Sequence, residues 1–179
     1  MRAATIALGL LTLGAAAVAQ TPGPLAADQT GATAAGTTFT APAAWSVLPM
    51  ASVVQIIAPD DSLRVAIVDV GPANDAPAAI DVALACYGPR WSPALRAIGP
   101  ASARNGWDER QTAIYQPSPD AKLAAQAIAL RKSTAWTVVL IERATAAAGN
   151  RLSAADRIAR SLHPPRAVAP TPGGCTTNR

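Results

Sequence analysis

Residues 134 to 143 read Thr-Ala-Trp-Thr-Val-Val-Leu-Ile-Glu-Arg, and both alternating sets of side chains along them are largely apolar. Trp136, Val138 and Leu140 fall on one side, and Ala135, Thr137, Val139 and Ile141 on the other. A strand that is apolar on both faces is covered on both. This one is predicted to lie inside a sheet whose neighbours and covering helices come from the rest of the chain.

The pattern before it supplies them. Thr38–Thr40 and Trp45–Leu48 are short β-prone runs stopped by Pro42 and Pro49. Ser52–Ile57 and Leu63–Val70 flank the turn residues Pro59-Asp60-Asp61-Ser62 and read as a hairpin, so the first third is an antiparallel meander. Asn74-Asp75, with Pro77 just inside, starts a helix in which Ile80, Ala83, Leu84 and Tyr87 line one face, and Gly88-Pro89 ends it. Ala94–Ile98 reads as a short edge strand closed by Gly99-Pro100. Trp107–Tyr115, Lys122–Arg131 and the strand above form a second meander, turned at Pro117–Asp120 and at Lys132-Ser133.

The alanines of Lys122–Arg131 also suit a helix, but the flanking turns and a length near ten residues favour a strand. As a strand it places Ala124, Gln126, Ile128 and Leu130 on one face, and Leu123, Ala125, Ala127 and Ala129 on the other. After Thr145 a last helix carries the stripe Leu152, Ala155, Ile158, Ala159 and Leu162, with Asp156 and Arg160 able to pair outside it, before Pro164-Pro165. The fold class expected is α+β: an antiparallel sheet of six to seven strands covered by two helices, in the order meander, helix, meander, helix.

The ends of the chain change the picture of where it works. Met1-Arg2, the apolar run Ala3–Val18 and the small-residue site Ala17-Val18-Ala19 read as a secretory signal peptide, residues 1–19, cleaved after Ala19. A retained anchor is disfavoured because an alanine-rich core inserts weakly. The mature chain then keeps 160 of the 179 residues, enough for one domain. Residues 20–36 lack periodicity and are expected to be a disordered leader, 37–164 the single domain and 165–179 a disordered Pro/Gly/Thr-rich tail. The formal net charge of +4 falls to +3 without Arg2, and the basic residues are scattered, which removes the footprint of a nucleic-acid binder.

Arginine-rich, lysine-poor and alanine-rich usage suggests a GC-rich bacterial source, so the destination is the periplasm or the exterior, with no stable membrane span after the signal is removed. In that oxidising compartment Cys86 and Cys175 either pair or stand as two thiols, and spacing does not decide between them.

Several segments carry a resemblance. Thr37–Pro42 with Trp45-Ser46-Val47, Val65–Val70, Gly106–Arg110, Trp136–Val139 and Ser161–Pro164 resemble the N-terminal, non-catalytic domain that precedes β-lactamase-family serine hydrolase domains in some Gram-negative bacteria. The similarity spans about Thr37 to Pro164. It implies a PsbP/Mog1-like sandwich, an antiparallel sheet between helices, and the chain is expected to lack the catalytic domain that follows in that family.

The chemistry of that catalytic domain is testable residue by residue. A Ser-x-x-Lys nucleophile needs its serine one helical turn before the lysine, but Lys122 and Lys132 have Pro119 and Ala129 at that position. No serine stands in Gly-x-Ser-x-Gly. His163, the single histidine, precedes two prolines at a helix end, where a capping or solvent role outweighs catalysis or a dyad with Cys86. No spacing of His, Cys, Asp and Glu suggests a metal site, and no cofactor is expected. Asp60-Asp61 reads as a turn, and Asp108 and Glu109, adjacent on a strand, face opposite ways.

Trp136 reads as core. Trp45, Trp91 and Trp107 each begin an element near a sheet end, where rim packing is the plainer role and a binding groove the sharper one. With Glu109 they make the candidate binding surface. The expected function is an exported, non-catalytic binding or interaction domain for a periplasmic protein or a small ligand. The rival is an accessory piece of a serine-hydrolase system with a separate catalytic subunit, and a third reading is a remnant without a ligand.

Overall fold

The computed structural model describes residues 23–88, 94–120, 122–147 and 149–166. Its centre is a seven-stranded sheet, antiparallel throughout, in the order β3-β4-β5-β9-β8-β7-β6. These strands are β3 (Ser46–Pro49), β4 (Val53–Ile57), β5 (Leu63–Pro72), β6 (Leu95–Ala101), β7 (Glu109–Tyr115), β8 (Leu123–Lys132) and β9 (Ala135–Ala144). The predicted interior strand is β9, held between β5 and β8. The first meander ends at β5, helix α1 (Ala76–Tyr87) carries the chain to the far edge, and the second meander returns strand by strand until β9 closes against β5. Helix α2 (Gly149–Arg160) and a hairpin of β1 (Gln29–Ala32) with β2 (Thr38–Ala41) lie on the opposite face from α1.

Alternation along the strands sorts the core into two layers. Ala66, Val68, Val70, Ala127, Ala129, Trp136, Val138 and Leu140 meet Ala76, Ala79, Ile80 and Ala83 of α1. The small β8 alanines, which sequence allowed as helix, are what let α1 approach this face closely. Val65, Ile67, Ile128, Leu130, Val139 and Ile141 meet Phe39, Trp45, Ala154, Ala155, Ile158 and Leu162. Burying a side chain such as Ile158 contributes about 1.5–3 kcal/mol.

The caps of α1 are those the sequence predicts. Asp75 accepts from the Ala78 N–H at 2.8 Å, Pro77 occupies the first turn, and Gly88, at φ 62°, closes the helix by donating to the Leu84 carbonyl at 3.0 Å. The Tyr87 hydroxyl donates to the buried Glu142 of β9 at 2.9 Å, so the last turn of α1 is fixed to the centre of the sheet.

Three expectations need correction. The segment before Thr37 is ordered in its described part. Leu25 N–H donates to the Trp45 carbonyl, β1 pairs in register with β2, and Gly31 sits so close to Phe39 that a Cβ there would lie 2.5 Å from Phe39 Cζ. Composition misleads because the segment is held by backbone bonds and by a ring beneath it, not by an apolar stripe of its own. On α2, Leu152 is exposed and Ala154 takes the inward position. Gly99-Pro100 does not stop β6, which continues to Ala101 as an edge strand, where proline's missing N–H costs no ladder bond.

Candidate functional site

The sheet end at which β5 finishes and β9 begins is built differently from the rest. Between Asp69 and Gly71 the pairing shifts, so that Asp69 faces Thr137 while Gly71 faces Trp136. Gly71 takes φ 81°, a left-handed conformation that costs glycine little. The bulge bends the chain toward α1, and Trp136 Nε1 donates to the Ala73 carbonyl at 3.1 Å, which fixes the indole across the bend. On the other side the β8–β9 turn is locked by the residue that precedes β7. Asp108 accepts from Lys132 Nζ at 2.9 Å and from the Ser133 N–H at 2.7 Å.

Between these two walls lies an open cleft of about 480 Å³, lined by Pro72, Ala73, Asn74 and Asp75 on one side and Glu109, Arg131, Ser133 and Thr134 on the other, with Trp136 between them. Its polar groups are pre-positioned. Arg131 Nε donates to Glu109 Oε2 at 2.8 Å, Arg131 Nη1 to the Ser133 carbonyl at 3.0 Å and Gln111 Nε2 to Glu109 Oε1 at 2.8 Å, while the Arg131 guanidinium lies 5.8 Å from the Trp136 ring centre. The Gln111 amide and then Arg131 hold the Glu109 carboxyl below its ordinary pKa. Lys132 and the Ser133 N–H do the same for Asp108. Both are ionised at neutral pH, which suits them to accept hydrogen bonds and not to act as general acids.

Behind Trp136 a second, smaller cavity of about 20 Å³ is lined by Thr37, Asp69, Lys132, Trp136 and Thr137 among others, room for roughly one water. Asp69 is buried there. Its Oδ1 accepts from the Thr33 hydroxyl and its Oδ2 from the Ala35 N–H, each at 3.0 Å, and Thr33 Oγ1 in turn accepts from the Thr37 N–H at 3.1 Å. The Thr37 and Thr137 hydroxyls are 3.2 Å apart. Burial pushes the Asp69 pKa up against the opposing effect of those two hydrogen bonds.

Of the residues singled out from sequence, Glu109 reaches the cleft. Trp45, 3 % exposed, belongs to the core, which corrects its reading as a groove residue: its indole packs in the layer beneath the β1–β2 hairpin. Trp107, 8 % exposed, also packs in that layer and donates from Nε1 to the Leu162 carbonyl at 3.1 Å, though part of it borders the Asp69 cavity. Trp91 lies outside the described residues. Trp136, read as core, is buried and also forms the cleft floor. Asp69 and Arg131 were not singled out. The available signal was Asp69 itself, a carboxylate inside the otherwise apolar run Val65–Val70.

Cys86 is half-buried against the α1 layer, no described cysteine is a free thiol, and Cys175 lies outside the described residues. His163 is exposed, and its backbone bridges Thr38. Among the described residues no group of three or more His, Cys, Asp or Glu could hold a metal ion, and no helix is long and apolar enough to cross a membrane.

No protein-family model matches this sequence, and no curated protein matches it. A solved structure does resemble it: the solution structure of cyanobacterial PsbP (CyanoP) from Synechocystis sp. PCC 6803, with a TM-score of 0.54 and 14 % identity over 84 % of this chain and 98 % of that one. At that identity the likeness is one of fold. It supports the PsbP-like α+β architecture expected from sequence and does not extend to the serine-hydrolase context.

Proposed function

We propose that this chain is an exported, non-catalytic binding domain whose ligand docks in the cleft floored by Trp136. The observation that carries this reading is the pre-organised polar rim: the Arg131 and Glu109 side chains are fixed on adjacent strands before any ligand arrives, so little ordering cost remains on binding. Two carboxylates, Asp75 and Glu109, face one guanidinium, Arg131. That balance favours a ligand rich in hydrogen-bond donors, such as the hydroxyls of a saccharide or the amides and ammonium of a peptide, over an anion.

A panel of soluble oligosaccharides and cationic peptides, followed by tryptophan fluorescence, tests it. A saturable binder is expected, weakened roughly tenfold or more by Glu109→Ala and by Thr134→Arg, which fills the cleft mouth. Turnover of ester or β-lactam reporters by the purified chain, abolished by one serine or cysteine substitution, would instead make it an enzyme. The narrower reading, an accessory piece of a serine-hydrolase system, is supported by the sequence resemblance alone, and co-purification with a separately encoded hydrolase is its test.

Export is supported by the charged start, apolar run and small-residue site of residues 1–19. In an oxidising compartment we expect Cys86 to pair with Cys175. Intact mass measurement of the protein from a periplasmic fraction is expected to give a chain starting at Gln20, lighter than its reduced form by the hydrogens lost on oxidation. A mass that does not change on reduction would show separate thiols.

A further inference from the structure

A third cavity, of about 110 Å³, opens on the α2 side of the sheet, away from the cleft, and arginines line it: Arg104, Arg110 and Arg160, with Asn105, Trp107 and Leu130 among its other walls. Three separate elements bring them together. Arg110 projects from β7 opposite Leu130 of β8, Arg104 precedes the β6–β7 turn, and Arg160 ends α2. The turn is pinned to the helix end. Asn105, at φ 56°, donates from Nδ2 to the Arg160 carbonyl at 2.6 Å, and Trp107 Nε1 donates to the Leu162 carbonyl. The last carbonyl of α2, that of Arg160, is thereby satisfied.

One of the cavity's donors is left over. Arg110 Nε is buried and has no hydrogen-bond partner among the described residues, the one such side-chain atom there. Burying an unpaired donor is unfavourable, the more so when it is charged. Of the nearby carboxylates, Asp156 lies 3.6 Å from Arg160 on the exposed side of α2 and offsets that guanidinium in part, while Glu109 is held by Arg131 and Gln111. Guanidinium groups have donors and no acceptor, so the complement of this cavity is a small, multiply charged acceptor.

We propose that the Arg104–Arg110–Arg160 cavity binds a phosphate-type oxyanion, the phosphoryl group of a small phosphomonoester or of a lipid headgroup. Its volume is several times the roughly 30 Å³ that a water occupies in the liquid, which suits a tetrahedral anion and excludes a large one except by its terminal group. Forked N–H pairs from arginine match phosphate oxygens bidentately.

Calorimetric titration of the full mature chain with inorganic phosphate at low ionic strength, and with acetate for comparison, tests the site. One phosphate per chain is expected, with acetate at least tenfold weaker. Arg110→Gln is expected to weaken phosphate roughly tenfold or more, and Arg104→Gln less, with far-ultraviolet circular dichroism unchanged in both. Lack of saturable phosphate binding would overturn the proposal, as would equal affinity for acetate, or phosphate binding that both variants retain. Glycerol phosphate competing with phosphate would identify a soluble source, and sedimentation with phosphatidic acid vesicles but not with phosphatidylcholine vesicles would identify a lipid source. Either supports the site when Arg110→Gln abolishes it.

Discussion

Trp107→Ala is expected to lower the free energy of unfolding by about 3–5 kcal/mol, the range for deleting a large aromatic from a packed core. The indole is buried in the layer between α2 and the sheet, with Leu130, Ile158 and Leu162 in the same cluster. Its removal takes away that apolar area and leaves a void at the junction of the β6–β7 turn and the end of α2. It also strips the Leu162 carbonyl of the 3.1 Å bond from Nε1. Trp107→Phe separates the two losses: it keeps most of the ring and gives up the donor, so about 1–2 kcal/mol is expected. Urea unfolding followed by circular dichroism measures both. If Trp107→Ala cost less than about 1 kcal/mol, the residue would be a surface aromatic and its assignment to the core would fail.

The sheet and its layering were legible because they rest on local periodicity. Val138 and Leu140 against Val139 and Ile141 announce a strand covered twice, and each pair lies in the layer that its parity dictates. Asp75, Pro77 and Gly88 bound α1 through short-range chemistry that sequence displays directly. The candidate site was less legible because its polar groups find partners far along the chain. Asp69 is satisfied by Thr33 and Ala35, 36 and 34 residues away, across a hairpin that composition reads as unstructured. Trp45 and Trp107 begin elements near a sheet end, as supposed, but a position in sequence does not say whether a later segment will cover a ring, and β1, β2 and α2 cover these. Glu109 was legible because strand alternation puts it on one face with Gln111, whereas its pairing with Arg131 depends on a strand register that the sequence does not display.

The same distance dependence makes Asp69 the most informative residue to change. Asp69→Ala leaves the Thr33 hydroxyl and the Ala35 N–H without their acceptor and releases the chain between β1 and β2 from the sheet, so a loss of about 2–4 kcal/mol is expected. Asp69→Asn is expected to cost much less, because its carbonyl can accept from Ala35 while its amide donates to Thr33 Oγ1. The pH dependence has a definite sign. Burial raises the Asp69 pKa in the folded state above the ordinary 3.8, so the native protein binds this proton more tightly than the unfolded chain does. That contribution is fully present below the unfolded pKa and is lost as pH rises through the raised folded value. Over this interval the wild-type protein forfeits stability that Asp69→Asn, having no proton to release, does not. The unfolding free energy of Asp69→Asn relative to wild type should therefore rise as pH climbs from below the ordinary carboxylate pKa through the raised folded value and level off above it, as measured by urea unfolding at several pH values. A relative stability that instead fell over that range would mean that the two hydrogen bonds outweigh desolvation and that Asp69 titrates below its ordinary value.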